Sequence, residues 1–306
     1  MSGKEIHFIG LLANTDSSIP NVTLDHAFKI HAMSEEDCIG ILSNLEGLPH
    51  EEVGKKLFID FPCLNSNERK FYSINNSFES DNGSSTELWN AVARFENKFV
   101  HSYLDTVIQL MRLFKEGNIC MPLKYYYFVD NNTPKVFIRK STSLYISPMP
   151  KYTLESSETS ELQKFIQNTK LPFEESFLQL AFGNFELSYQ IHDRNLSFLS
   201  VMISLETLFN PGLQELRYRV SRNAAVLLGK EKEDSKTIFS EIKGLYDKRS
   251  KIVHTGNSNT INEEDLLKLR HYVRESIKEI NKIDKNKDEL LEILNSCGFG
   301  ERSWTK

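Results

Sequence analysis

The sequence predicts a multidomain chain, an N-terminal α+β domain followed by an all-α helical bundle. Three observations carry that prediction. The chain has 306 residues, about two domains at roughly 150 residues each. Its β-rich runs lie in the first half. Beyond residue 152 the apolar residues recur at helical spacing, with no convincing strand.

In chain order, KKLFID (55–60) and KFYSI (70–74) read as short strands separated by the polar NSNER. Residues 84–117 carry the clearest helical pattern. Leu88, Val92, Phe95, Phe99, Tyr103, Val107, Leu110 and Phe114 recur at steps of three and four. Ser84 and Glu87 form a capping-box pattern, and Gly117 is a C-terminal stop. In LKYYYFVDNNTPKVFIRK two β-rich runs flank DNNTP, whose residues favour tight turns, so this segment reads as a hairpin. Pro, Ser and Thr concentrate over 148–160 and mark the boundary, giving domains 1–152 and 153–306.

The second domain reads as five or six helices. SSETSELQKFIQ opens with cap-forming residues, and Pro172 restarts the chain before a helix over 174–190. Residues 194–209 are apolar on nearly all sides, as in a central bundle helix. NPG at 210–212 breaks the chain. Helices follow over 213–229, 235–254 and 262–283, the last opening on an Asn cap and an acidic first turn. Short connections between them predict an antiparallel bundle.

Composition narrows the function classes. Hydrophobic residues are 40% and charged residues 26%, which excludes a disordered, collagen-like or coiled-coil chain. The net charge of −5 argues against a globally basic nucleic-acid coat but leaves room for a local basic cleft. That deficit is uneven: residues 158–306 hold 22 Lys/Arg and 23 Asp/Glu, whereas residues 1–157 hold 15 and 19. Cys38, Cys63, Cys120 and Cys297 show no C-x-x-C pairing, so no zinc or thioredoxin pattern exists and a reducing cytosol is expected. The first sixteen residues lack a signal-peptide core, and no stretch of 18 apolar residues exists to span a membrane. The expected location is cytoplasmic.

Phosphate-loop, dinucleotide, zinc-protease and nucleophile-elbow motifs are absent. His26 and His31 have no obvious third ligand, and no metal or cofactor is expected. One stretch stands out, LYDKRSKIVHTGN (245–257), where Arg249 and His254 frame four residues. A guanidinium can hold phosphate oxygens bidentately and stays charged. An imidazole moves protons near neutrality. RNA supplies its own nucleophile, the 2′-hydroxyl. Such a pair can therefore cleave RNA without a metal. Five residues along an ideal helix turn about 140° around the axis. Either the helix loosens at Val253–His254, or two copies of the motif face each other. A second Arg–His spacing, Arg94 and His101, falls inside the 84–117 helix and reads as coincidence.

SLETLF (204–209), ELRYRVSRNAAVLLG (215–229) and LYDKRSKIVHTG (245–256) together resemble the HEPN domain, most closely its ApeA-like branch from bacterial anti-phage proteins. The likeness covers about 60 residues closely. It departs from the usual form at Thr255, where many relatives have Gly. The resemblance implies a metal-independent endoribonuclease, acting in anti-phage defence or as a toxin, whose homodimer lines one cleft with two R-x-x-x-x-H motifs. It implies that Arg249 grips the scissile phosphate and that His254 transfers protons during 2′-hydroxyl attack. The products would be a 2′,3′-cyclic phosphate and a 5′-hydroxyl. Ser250 would support the site. Glu206 and Arg219 would orient the pair, or form an ion pair within the bundle. Arg217, Arg219, Arg222, Lys248 and Lys251 would build a phosphate-binding surface, or be ordinary solvated charges. Degenerate members exist, so the likeness also admits a non-catalytic module that dimerises or holds a nucleotide or partner. The first domain has no site residues of its own. Domain order suggests a sensor of a phage component or ligand, or a restraint on the nuclease.

Overall fold

The computed structural model describes residues 3–64, 69–81, 83–140, 150–210, 212, 215–255, 261–302 and 304. Pro211, Gly256 and most of the NSNER connection lie outside them. The chain divides into two compact units, residues 1–169 and 170–306.

The first unit is built on a five-stranded antiparallel sheet. Its strands are β1 (Glu5–Ala13), β2 (Lys29–Ser34), β3 (Lys70–Glu79), β4 (Cys120–Asp130) and β5 (Thr133–Lys140), in the order β2-β3-β1-β4-β5. The β4–β5 hairpin falls where the sequence predicts it. Asn131 and Asn132 form its turn with φ of 49° and 61°, left-handed values that Asn tolerates and that match the strand twist. KFYSI lies in β3. β1 is central and buried on both sides. Ile6, Phe8 and Leu12 join one core cluster, while Ile9, Leu11 and Ala13 join the other. A Cβ at Gly10 would collide with the Met121 sulfur, so any side chain there would have to displace Met121.

Each cluster is completed by helices. α1 (Glu35–Glu46) starts on Ser34, whose Oγ accepts from the Asp37 amide, and stops on Gly47 at φ 66°. α2 (His50–Lys55) runs on through a wide π turn over Lys56–Asp60. This corrects the strand expected for KKLFID. Val53, Leu57 and Phe61 are buried at steps of four while Ile59 is 70% exposed, the pattern of a helix covering the sheet rather than a strand within it.

The opposite face is covered by the long helix expected over 84–117. It comprises α3 (Ser85–Phe95), a π segment over Glu96–Leu104, and α4 (Asp105–Phe114). The π segment changes the buried stripe. The sequence pattern steps Phe95, Phe99, Tyr103, whereas the structure buries Phe95, Val100 and Leu104. The five-residue step matches i→i+5 geometry. Phe99 and Tyr103 shift to the flank and pack on the His26 ring.

α5 (Ser156–Asn168) belongs to this first unit. Leu162 is fully buried in the sheet's core, Phe165 packs on Phe114 at 5.7 Å, and Lys115 pairs with Glu158 at 2.6 Å. The compact division therefore falls one helix later than the sequence boundary at 152/153.

The second unit is helical throughout its described residues. It contains α6 (Ser176–Leu187), α7 (Arg194–Phe209), α8 (Leu216–Leu228), α9 (Lys232–Thr255), α10 (Glu263–Ile283) and α11 (Lys287–Ser296). α7 is the central helix expected, packing on α6, α8, α9 and α10. Ser197, Ser200 and Ser204 lie at helical spacing along it and donate to the carbonyls of Ser188, Asn184 and Ala181 at 2.7–2.9 Å. Small hydroxyl side chains let α6 approach closely and satisfy their own polar groups. α10 opens with the expected Asn262 cap, here a full capping box with Asp265. No helix among the described residues is long and apolar enough to cross a membrane.

Candidate functional site

α9 positions the Arg–His pair. The helix runs unbroken from Lys232 to Thr255, so it does not loosen at Val253–His254. Arg249 and His254 thus sit on different faces of one regular helix, about 140° apart by ideal geometry. His254 is exposed on the last turn.

Arg249 is held from two sides. Its Nε lies 3.5 Å from the Glu206 Oε1 on α7, and the two side chains are 28% and 18% exposed. Its guanidinium also lies over the Tyr246 ring at 5.7 Å. Burial, reinforced by the hydrogen bond to Glu206, pushes the Tyr246 phenol up to about 12. Tyr246 therefore stays a neutral donor to that carboxylate. Glu206 Oε1 is buried with no hydrogen bond of good geometry. Glu206, Tyr246 and Arg249 form one cluster, with the guanidinium partly open to solvent.

The surrounding cations are largely engaged. Arg217 pairs with Asp247 at 2.5 Å, and Lys248 pairs with Asp265 at 2.5 Å. Arg219 lies 3.9 Å from Glu215, the N-cap of its helix. Arg222 donates to the carbonyls of Leu294, Asn295 and Cys297 at 3.0, 3.5 and 2.7 Å, which satisfies the C-terminal end of α11. Ser250 is half-buried and Lys251 exposed beside Arg249. The structure thus joins Arg249 to Glu206, sets Arg219 in a loose pair with Glu215, and gives Arg222 a capping task.

The other Arg–His spacing is accounted for locally. Arg94 pairs with Glu87 at 2.5 Å and Asp81 at 3.2 Å, and His101 pairs with Asp105 at 3.0 Å.

Sequence reasoning missed two polar features. Arg270 is fully buried on α10. It donates to the Ser188 hydroxyl and carbonyl and to Ser197 at 2.6–3.1 Å, and stacks over Tyr189 at 4.0 Å. Arg274 donates to the Tyr189 hydroxyl at 3.0 Å. Their signal was an arginine at i and i+4 on the apolar face of an otherwise charged helix. The second feature, Cys63 and Cys120 both meeting the end of β1, has no sequence signature because they lie 57 positions apart.

No protein-family model, no curated protein and no solved structure matches this chain.

Proposed function

We propose that the chain is a metal-independent endoribonuclease of HEPN type, acting as a homodimer. The observation that carries this reading is the Arg249 cluster. A guanidinium is aimed by Glu206 and Tyr246 yet remains part-exposed, and an exposed histidine stands on the same helix. In the proposed reaction Arg249 holds the scissile phosphate through parallel hydrogen bonds. His254 transfers a proton as the 2′-hydroxyl attacks phosphorus and the 5′-oxygen leaves. The unbroken α9 supports the dimer, since one helix does not direct both side chains at one phosphate.

Exposed aliphatic side chains on the α6–α7 hairpin support that dimer. Leu180 and Leu187 of α6, and Leu196 and Ile203 of α7, are each 44–58% exposed. Each pair is spaced two helical turns apart, and Glu206 continues the α7 stripe. Exposed aliphatic side chains at i, i+7 spacing on both helices suit a second copy that buries them. In the amino-terminal unit a cleft of about 720 Å³ is lined by Ser34, Glu35, His50, Lys55, Phe58 and Arg69, a volume in the small-ligand range. It is our candidate for the trigger site in a defence or toxin role.

The test is purified protein with structured and single-stranded RNA in EDTA. Wild type is expected to leave 2′,3′-cyclic phosphate ends, and His254→Ala to leave the RNA intact. No cleavage by wild type, or equal cleavage by the variant, sinks the reading. The neutralised cations around Arg249 favour a second reading, a non-catalytic module that binds a nucleotide or partner. RNA or nucleotide binding without cleavage, lost in Arg249→Ala, would select it.

A further inference from the structure

Two of the four cysteines meet at one corner of the sheet. Cys63 sits on the short turn Pro62–Leu64, and Cys120 opens β4. Consecutive residues at the end of β1 touch both: Ala13 is the register partner of Cys120, and the Asn14 amide donates to the Cys63 carbonyl at 3.1 Å. The two side chains pack against the same core cluster and both are half-buried. The thiols hydrogen-bond to each other.

From this geometry we infer that Cys63 and Cys120 form an oxidant-reactive dithiol, with a hydroperoxide as the substrate class, Cys63 as the attacking thiolate and Cys120 as the resolving thiol.

The roles follow from the environments. The hydrogen bond from Cys120 holds the Cys63 thiol below its ordinary range, and the amides of Cys63 and Leu64 add to this against the effect of burial. Sharing that hydrogen bond, reinforced by burial, pushes the Cys120 thiol up, although the Arg112 charge opposes the rise. The thiolate is the nucleophile, so attack belongs to Cys63. The remaining cysteines are of another kind. Burial pushes the Cys38 thiol up to about 12, and Cys297 is also buried.

The chemistry balances in two steps. The Cys63 sulfur attacks one peroxide oxygen and the O–O bond breaks. The departing oxygen takes up a proton and leaves as an alcohol, or as water when the oxidant is hydrogen peroxide, and Cys63 becomes a sulfenic acid. The Cys120 sulfur then attacks the Cys63 sulfur and the S–O bond breaks. The hydroxide leaves with the Cys120 proton as water. Two thiols and one hydroperoxide give one disulfide, one alcohol and one water; hydrogen peroxide gives two waters. A disulfide needs an S–S distance of about 2.0 Å, and the two cysteines already meet consecutive residues at the end of β1. The product ties the 62–64 turn to the first residue of β4.

The full chain treated with one equivalent of hydrogen peroxide tests this. Thiols titrated after denaturation are expected to fall from four to two, and non-reducing peptide mapping to recover a Cys63–Cys120 linkage. In Cys120→Ser a dimedone adduct is expected on Cys63. In Cys63→Ser the three remaining thiols should survive the same dose. Four thiols surviving in wild type, a linkage through Cys38 or Cys297, or dimedone labelling of Cys120 in Cys63→Ser would each overturn the inference. The wild-type mapping stands even where a variant fails to fold.

Discussion

Glu206 and Arg249 show how much of the site one residue can reveal. The spacing of Arg249 and His254 is visible in the sequence; their role belongs to the proposed function. The contact between Glu206 and Arg249 was left open, since it depends on how α7 crosses α9. In the proposed site Glu206 is a positioning residue, 3.5 Å from the Arg249 Nε. In the proposed RNA cleavage, Glu206→Gln removes an ion pair at 3.5 Å worth up to about 1 kcal/mol, so cleavage should slow about two- to fivefold. Binding should change less, and stability should fall by under about 1 kcal/mol because the pair is part-exposed. Single-turnover kinetics alongside urea unfolding checks this; unchanged cleavage would remove Glu206 from the site. Arg222 illustrates the opposite outcome. Nothing in RYRVSRN distinguishes a phosphate-binding arginine from one that caps a distant helix. Its three carbonyl acceptors predict that Arg222→Ala costs about 1–3 kcal/mol through unsatisfied backbone groups, read as a lowered urea midpoint.

Among the elements, the 84–117 helix separates what periodicity encodes from what it does not. Apolar residues at steps of three and four announced a helix, yet that same pattern hides the wide turn, because Phe99 and Val100 are both apolar. Burial chose Val100 and Leu104. Leu104→Ala should accordingly destabilise by about 2–5 kcal/mol in urea unfolding, with Lys98→Ala near neutral. KKLFID misled for a related reason: six residues are too few to tell a strand from one turn and a half of buried helix. The α9–α10 contact carries a pH dependence. Burial raises the Glu241 carboxyl, but hydrogen bonds from Tyr272 and Lys268 and the Lys268 charge outweigh it and hold it below its ordinary 4.5. A depressed carboxyl stabilises above its unfolded value, and that contribution fades as pH falls through the folded one. Wild type should therefore lose more of its urea midpoint than Glu241→Gln between about pH 7 and about pH 3.5.

For the molecule as a whole, the order of a sheet unit followed by a helical unit was readable from where β-rich runs stop. The position of the division was not, because a connection rich in Ser and Thr marks a chain break whichever side its next helix packs. α5 places Leu162 in the first core. A fragment of residues 170–306 is expected to fold cooperatively with a helical circular dichroism spectrum. One beginning at 153 would expose Leu162, Phe165 and Ile166, and should self-associate in sedimentation. The sheet's outer strands have a consequence of their own. β2 carries Lys29, and β5 carries Lys135, Arg139 and Lys140. A foreign strand adding to either margin would meet ammonium and guanidinium groups and would have to strip their hydration. The ladder therefore terminates itself at five, and the chain's most β-prone region is guarded against templated fibre growth by its own border residues.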